Sequence, residues 1–333
     1  MYRKIAVPLD GSPLAEQALP LAVTLAKLFN SELLLVRVKE VAPLMTQTIQ
    51  HETTEVEKVR SYLEQVKRTL TTQTELKLQL PFDRVTLRAE YSREVAVRLI
   101  ELNREERVDL IVMTSHGYSG FSQFLLGGVA SSLLHYSNLP VMMVRPAEPT
   151  PELVLPQLLN QPVKLTQRGD HARLVVALDG SLEAESALAP ALELARGLDA
   201  TIYLMRVAER YAPNKLAEST INFLSYKENQ RRREEAFAYL DNLQARITEK
   251  GIDCIKVVRL GEPVEQILEY LKWLEPSLLV MSTHARGRLG RLVLGSISQE
   301  IVGQSQLPVL LVPTSFDITS SEIISEVISL SGV

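Results

Sequence analysis

The chain has 333 residues, 46% of them apolar and 23% charged, with a formal net charge of −4. That composition is globular, and the balance excludes a general electrostatic pull toward nucleic acid or an acidic membrane, so any anion site has to be local. Cys254 is the only cysteine, which excludes an intrachain disulfide and a thiolate metal cluster, and no run of about 18 apolar residues offers a membrane span.

The opening stretch, MYRKIAVPLDGS, alternates at Ile5, Val7 and Leu9 and predicts a strand over 4–9. A strand so early leaves no room for a signal peptide and implies a cytoplasmic protein. Ser12 is a good N-cap and Pro13 a good first helical residue. The apolar stripe Ala15, Ala18, Leu19, Ala22, Leu25, Ala26 and Phe29 then marks a helix, which Pro20 should kink. Further strands are expected near 33–38, 84–89, 109–113 and 141–145, with a helix through Val56, Val59, Leu63, Val66 and Leu70 between the first two of these. Leu110–Met113 and Val141–Val144 are continuously apolar, as strands are when helices cover both faces of a parallel sheet. Residues 147–172 carry four prolines and read as a stiffened linker.

Beyond the linker the pattern starts again. KIAVPLDGS from Lys4 returns as RLVVALDGS from Arg173, and LLLVRVKE from Leu33 as IYLMRVAE from Ile202. LIVMTSHG from Leu110 returns as LLVMSTHA from Leu278, and NLPVMMVRP from Asn138 as QLPVLLVPT from Gln306. A repeat of this length is a duplicated domain, with strands expected near 173–178, 202–207, 254–259, 278–281 and 309–312. The fold class is therefore α/β: two tandem copies of a five-stranded parallel-sheet domain of Rossmann-like type. The copies span 1–146 and 173–315, and a tail over 316–333 has a turn-spaced apolar stripe that reads as a helix packed on its own domain.

Parallel strands with right-handed crossovers end at one edge of the sheet, where loops meet at the topological switch point. Two loops in each copy belong there. One is the turn Asp10-Gly11-Ser12, or Asp179-Gly180-Ser181, whose aspartate can accept hydrogen bonds from sugar hydroxyls. The other is the crossover TSHGYSGFSQFLLGG from Thr114, or STHARGRLGRLVLGS from Ser282, which offers backbone N–H groups and a helix start to an anion. Arg286, Arg288 and Arg291 add guanidinium groups that match phosphate oxygens in pairs.

On these residues both copies resemble the universal stress protein domain. The resemblance implies strand order 3-2-1-4-5 and an adenine nucleotide, ATP with Mg as its counter-ion, across the switch point. It also implies the motif Gly-x2-Gly-x9-Gly-(Ser/Thr), an aspartate after the first strand and a backbone contact from the second. In copy 1 the matching positions are Pro8, Asp10, Val38, Met113, Gly117, Gly127 and Gly128, with Thr114 in place of the first glycine and Gly128 in place of the hydroxyl residue. In copy 2 they are Asp179, Val207, Met281, Gly295 and Ser296, joined by Arg286, Gly287 and Arg288, with Ala285 in place of the second glycine and Ala177 in place of the proline. Glycine count favours copy 1; charge favours copy 2, which ranks slightly ahead. The resemblance further implies that the copies pair within the chain as a pseudo-dimer through Val141–Val144 and Val309–Val312, which would shelter two apolar edges. A homodimer of chains is left open.

Plainer readings stand beside these. Ser296-x-x-Gln299 is a capping box. Asp10 and Asp179 are suited to ordinary turns. Arg231-Arg232-Arg233, followed by Glu234-Glu235, reads as a solvated helix face and not as a nucleic-acid patch. His116 and His284 lack a partner at metal-ligand spacing, so no tightly bound metal is expected. No P-loop, Rossmann dinucleotide fingerprint or Gly-x-Ser-x-Gly elbow is present, and slow ATP hydrolysis is the most the pattern supports. The expectation is a nucleotide-binding stress-response module without catalytic residues; the alternative is a nucleotide-free, partner-binding stress protein with decayed sites.

Overall fold

A computed structural model describes residues 2–41, 49–72, 80–115, 126–147, 155–160, 165, 171–211, 218–283 and 295–314. The chain divides into two compact units, Met1–Lys164 and Leu165–Val333.

In unit 1 the strands are β1 (Lys4–Pro8), β2 (Glu32–Glu40), β3 (Val85–Ser92), β4 (Leu110–Thr114) and β5 (Val141–Val144). They form a parallel array in the order β3-β2-β1-β4-β5. The helices are α1 (Pro13–Glu16), α2 (Leu19–Phe29), α3 (Ile49–Thr72), α4 (Val95–Glu105), α5 (Gly128–Tyr136) and α6 (Leu155–Asn160). Unit 2 repeats this with β6 (Arg173–Leu178), β7 (Thr201–Ala208), β8 (Cys254–Leu260), β9 (Leu278–Ser282) and β10 (Val309–Val312). Its order is β8-β7-β6-β9-β10, again parallel. Its helices are α7 (Leu182–Glu185), α8 (Leu188–Leu198), α9 (Glu218–Thr248), α10 (Pro263–Leu274) and α11 (Ser296–Gln304).

The central strands are buried on both faces, as their unbroken apolar runs require. Ile5, Ala6 and Val7 of β1 and Leu110, Ile111 and Val112 of β4 have no exposed surface. Fully burying a side chain of Val or Leu size is worth roughly 1.5–3 kcal/mol, so these strands anchor the sheet from which the loops project.

The first helix of each copy differs from expectation. Ser12 caps α1 as foreseen, its Oγ accepting from the Ala15 N–H at 3.1 Å. The chain then leaves the helix at Gln17 and Ala18 and begins α2, with Pro20 as its second residue. The expected kink is thus a full break. Within one continuous helix the Pro20 ring would clash with the carbonyl of Glu16, whereas in the first turn of a new helix its missing N–H leaves no bond unmade. Unit 2 does the same: Ser181 caps α7 through the Ala184 N–H at 3.1 Å, and Pro190 falls in the first turn of α8.

The proline-rich stretch holds a short helix, α6. Its Leu155, Leu158 and Leu159 are buried, and it packs on α2 and α3. The tail over 316–333 lies outside the described residues. Among those residues no helix is long and apolar enough to cross a membrane.

Candidate functional site

The strand order places the switch point beside β1 in unit 1 and beside β6 in unit 2, because the chain winds first to one side of that strand and then to the other. The turn after β1 starts at Asp10, whose Oδ1 accepts the Ser12 N–H at 2.8 Å. Asp179 does the same for the Ser181 N–H at 2.8 Å, and Ser181 Oγ donates to the same oxygen at 2.5 Å. Both aspartates therefore stabilise their own turns, as the plainer reading held, and both still stand at the sheet edge. Gly11 (φ +89°) and Gly180 (φ +87°) complete the turns in the left-handed region that L side chains avoid.

Space demands glycine there as well. Arg37 of β2 lies across Gly11, and Arg206 of β7 lies across Gly180. A Cβ on Gly11 would stand 2.6 Å from Arg37 Nη2, and one on Gly180 would stand 2.7 Å from Arg206 Cζ. On the opposite face each guanidinium carbon rests over an aromatic ring, Arg37 at 4.7 Å from the Tyr62 centroid and Arg206 at 4.9 Å from that of Tyr239. Sandwiched cations of this kind are worth about 0.5–2 kcal/mol. Sequence reasoning missed both arginines. The signal was one Arg in the same place within two apolar strands, LLVRV and YLMRV.

Behind the arginine in unit 1, the Tyr62 hydroxyl donates to Glu16 Oε1 at 2.9 Å. Burial raises the Glu16 carboxyl above its ordinary value, opposed by the Tyr62 hydrogen bond and reinforced by the charge of Asp10. The Tyr62 hydroxyl is itself raised, by burial first and then by Glu16. Tyr239 is raised in unit 2, by burial and then by the charge of Glu185, the counterpart of Glu16. The cluster is duplicated: aspartate, glycine, arginine, tyrosine and glutamate.

In unit 2 this cluster borders a cleft of about 500 Å³. Asp179 and Arg206 stand on its wall, and Ala177, Met205, Val207, Met281, Ile267 and Ile297 give it an apolar surface. Arg231, Arg232 and Glu235 of α9 also line it, so three residues expected on a solvated helix face border the site, Arg231 and Glu235 while staying exposed. They are anchored there. Arg231 is paired with Glu228 and Glu235, and Arg232 Nε donates to Glu228 Oε1 at 3.0 Å.

The crossover loop, expected on the far side of the crevice, leaves β4 in unit 1 and β9 in unit 2. Its middle, including Gly117 in copy 1 and Arg286, Gly287 and Arg288 in copy 2, lies outside the described residues. Its base is closed in both units by one hydrogen bond, Gly127 N–H to Ser115 O at 3.0 Å and Gly295 N–H to Thr283 O at 2.8 Å. The helix after it corrects the capping-box expectation. Gly295 is the N-cap of α11 and Ser296 the first helical residue, because the Gly295 carbonyl already accepts from Gln299 N–H at 3.0 Å. Gly127 is likewise the N-cap of α5, with Gly128 first in the helix. Neither helix has a side-chain cap, so the first-turn N–H groups have no intrahelical partner. A Cβ at Gly128 would meet nothing within 4 Å, so the loss of the hydroxyl residue there reflects no crowding.

Pro8 ends β1, Val38 lies in β2 and Met113 in β4, with Val38 and Met113 buried. Asp179, Val207 and Met281 meet in the unit 2 cleft, where Ile297 and Ser298 follow directly on Gly295 and Ser296.

Known proteins share this arrangement. The model of the Universal stress protein family matches residues 1–145 and again residues 171–313. The chain belongs to that family. Among curated universal stress proteins, it is 28% identical over 145 residues to YxiE of Bacillus subtilis, an alignment covering 42% of this chain and 97% of the relative. It is 27% identical over 213 residues to Rv1996 of Mycobacterium tuberculosis, covering 62% of this chain and 60% of that one. A crystal structure of a universal stress protein from Archaeoglobus fulgidus matches with a TM-score of 0.64 at 19% identity, covering 94% of this chain and 99% of that chain, which is a likeness of fold. As in the expectation drawn from the residues, the universal stress protein fold occurs here twice in tandem.

Proposed function

We propose that this universal stress protein binds ATP or a related adenine nucleotide in the unit 2 cleft and acts as a stress-response binding module. The observation that carries the reading is one cleft bordered at once by a carboxylate, by a pinned guanidinium and by the start of α11. Its apolar surface, including Val207 and Met281, suits a base. Asp179 accepts from ribose hydroxyls, and the first-turn N–H groups of α11 from Ser296 on, behind the Gly295 N-cap, face the phosphates, joined by Arg286, Gly287 and Arg288 of the loop. Unit 1 offers the equivalent set of Pro8, Asp10, Val38, Met113, Gly117, Gly127 and Gly128. The reading assigns no catalytic residue, and a cytoplasmic location belongs to the same proposal.

The test is mass spectrometry of ligand released from freshly purified, denatured protein, with titration by ATP. A bound adenine nucleotide is expected, with Asp179→Ala weakening it more than Asp10→Ala. No binding at millimolar ATP would remove the reading.

One observation favours the alternative of a nucleotide-free, partner-binding protein: both aspartates already accept hydrogen bonds within their own turns. Nucleotide-soaked crystals with only water at both switch points would establish that alternative.

A further inference from the structure

The sheet of unit 2 ends at β8, with no strand beyond it among the described residues. Its pairing with β7 fixes which backbone groups face outward. Asp253 O accepts from Ile202 N–H at 2.8 Å and Gly261 N–H donates to Ala208 O at 3.1 Å, so the odd-numbered residues between them turn their peptide groups toward β7. The even-numbered ones turn theirs away. The Cys254 carbonyl is met by Gln244 Nε2 at 2.6 Å. Lys256 and Val258 are left at the middle of an open edge.

On the α10 side this edge is apolar and aromatic. Arg259 lies over the Tyr270 ring, 5.3 Å from its centroid, which puts the odd-numbered side chains of β8 on the α10 face. Ile255 is one of them and is 45% exposed. Tyr270 is tilted against Trp273, centroids 5.5 Å apart, and that indole is 72% exposed. The helix runs back to the strand starts, since Arg173 Nη1, at the first residue of β6, donates to the Leu274 carbonyl at 3.1 Å. Trp273 therefore stands at the Ile255 end of the sheet. Tryptophan, tyrosine and arginine are the residue types that carry most interface energy.

Unit 1 has the same edge in a guarded form. Val85 of β3 matches Cys254, so Arg88 stands where unit 2 has Val257, and Glu105 stands where it has Trp273. Arg98 ties Glu90, Glu101 and Glu105 into an ion network. Two copies of β3 set antiparallel about Arg88 would bring like charges directly opposite, which is destabilising. The same two-fold about Val257 sets Val257 against Val257, Arg259 against Ile255 and Lys256 against Val258. No like charges face each other. Lysine is a common guard of an open edge, but the Lys256 ammonium is drawn to Asp241 of α9.

We propose that β8 pairs antiparallel with β8 of a second copy of this chain, about a two-fold axis at Val257, with Ile255 and Trp273 bordering the joint. Lys256 and Val258 then exchange backbone hydrogen bonds with Val258 and Lys256 of the second copy, in the outward direction their peptide groups already have. Strand reversal carries Arg259 of the second copy to the Ile255 end, the end at which Trp273 stands.

The test is sedimentation velocity of the full chain over a roughly hundredfold range of concentration. The mass should move from the 37.2 kDa of one chain toward twice that value. Val258→Pro removes an outward N–H that β7 does not use, a position where an edge strand tolerates proline, and should raise the dissociation constant about tenfold or more. Val257→Arg restores the like-charge clash of unit 1 and should do the same. Trp273→Glu, at an exposed side chain, should weaken the dimer without touching the fold. Urea unfolding of each variant identifies any loss that comes from misfolding. A chain that stays monomeric throughout the range overturns the proposal. A dimer that persists in folded Val258→Pro and Val257→Arg places the contact elsewhere and overturns it equally.

Discussion

Arg206 and Gly180 meet face to face: a side-chain carbon added to the glycine would stand 2.7 Å from the guanidinium carbon. Two separate costs therefore fall on Gly180→Ala, the positive φ and the displacement of a cation held on its other side by Tyr239. Gly251 separates them, since it has φ +75° with nothing within 4 Å of an added Cβ. Gly251→Ala should cost about 1 kcal/mol, the backbone term alone. Gly180→Ala should cost about 2–4 kcal/mol and loosen the arginine. Urea unfolding of the two variants side by side measures the difference, and equal losses would show that the contact with Arg206 contributes nothing.

Asp179 serves its turn and, on the proposed reading, a ligand. Asparagine keeps an oxygen that can accept from Ser181 but removes the charge. Asp179→Asn should unfold within ~0.5 kcal/mol of the parent, while Asp179→Ala loses about 1 kcal/mol as its turn bonds go. Both should weaken nucleotide binding about tenfold. Tight binding by a stable Asn variant would confine this residue to the turn.

Glu16 gives a pH signature. Burial raises its carboxyl above the ordinary value of 4.5, although the Tyr62 hydrogen bond pulls the other way. The folded state then holds the proton more tightly than the unfolded chain does. The associated stability is fully present below 4.5 and is lost as the pH rises through the folded value. Glutamine can still accept from Tyr62 and has nothing to ionise. Glu16→Gln should therefore be more stable than the parent at neutral pH and lack the decline above 4.5, measured by urea midpoints across the range. A destabilised, still pH-dependent variant would assign the titration to another group.

Glu228 should behave in the opposite sense. Hydrogen bonds from Arg231 and then Arg232 hold its carboxyl down to about 2. Its contribution is present above the ordinary 4.5 and disappears as the pH falls toward the folded value. Glu228→Gln should flatten the acid side of the stability profile between those limits. The same variant should free Arg232 from its ion pair and leave Arg231 with Glu235 alone, visible as faster exchange of the Arg232 guanidinium N–H signals by NMR. An unaltered acid limb would show that these exposed pairs contribute little in water.

The local features were legible from the residues alone. Continuous apolar runs such as Leu110–Met113 mark strands covered on both faces, Ser12 and Ser181 mark helix starts, and the repeated Asp-Gly-Ser marks the turn at the crevice. Each depends on neighbours a few positions away, and the duplication states each one twice. Reading went astray by small steps where two local signals competed. Pro20 broke a helix expected only to bend, and Gly295 took the cap position that Ser296 and Gln299 pointed to.

What the order of amino acids by itself determined is the pair of parallel α/β units and the two aspartate turns at their edges. Only the tertiary structure decided that Arg206 lies on Gly180, that Tyr239 supports it from α9, and that Arg232 borders the cleft. The reason is geometric. A right-handed crossover carries the chain away and returns it beside its starting strand, so residues far apart in sequence become neighbours through a packing that no periodicity or capping signal records.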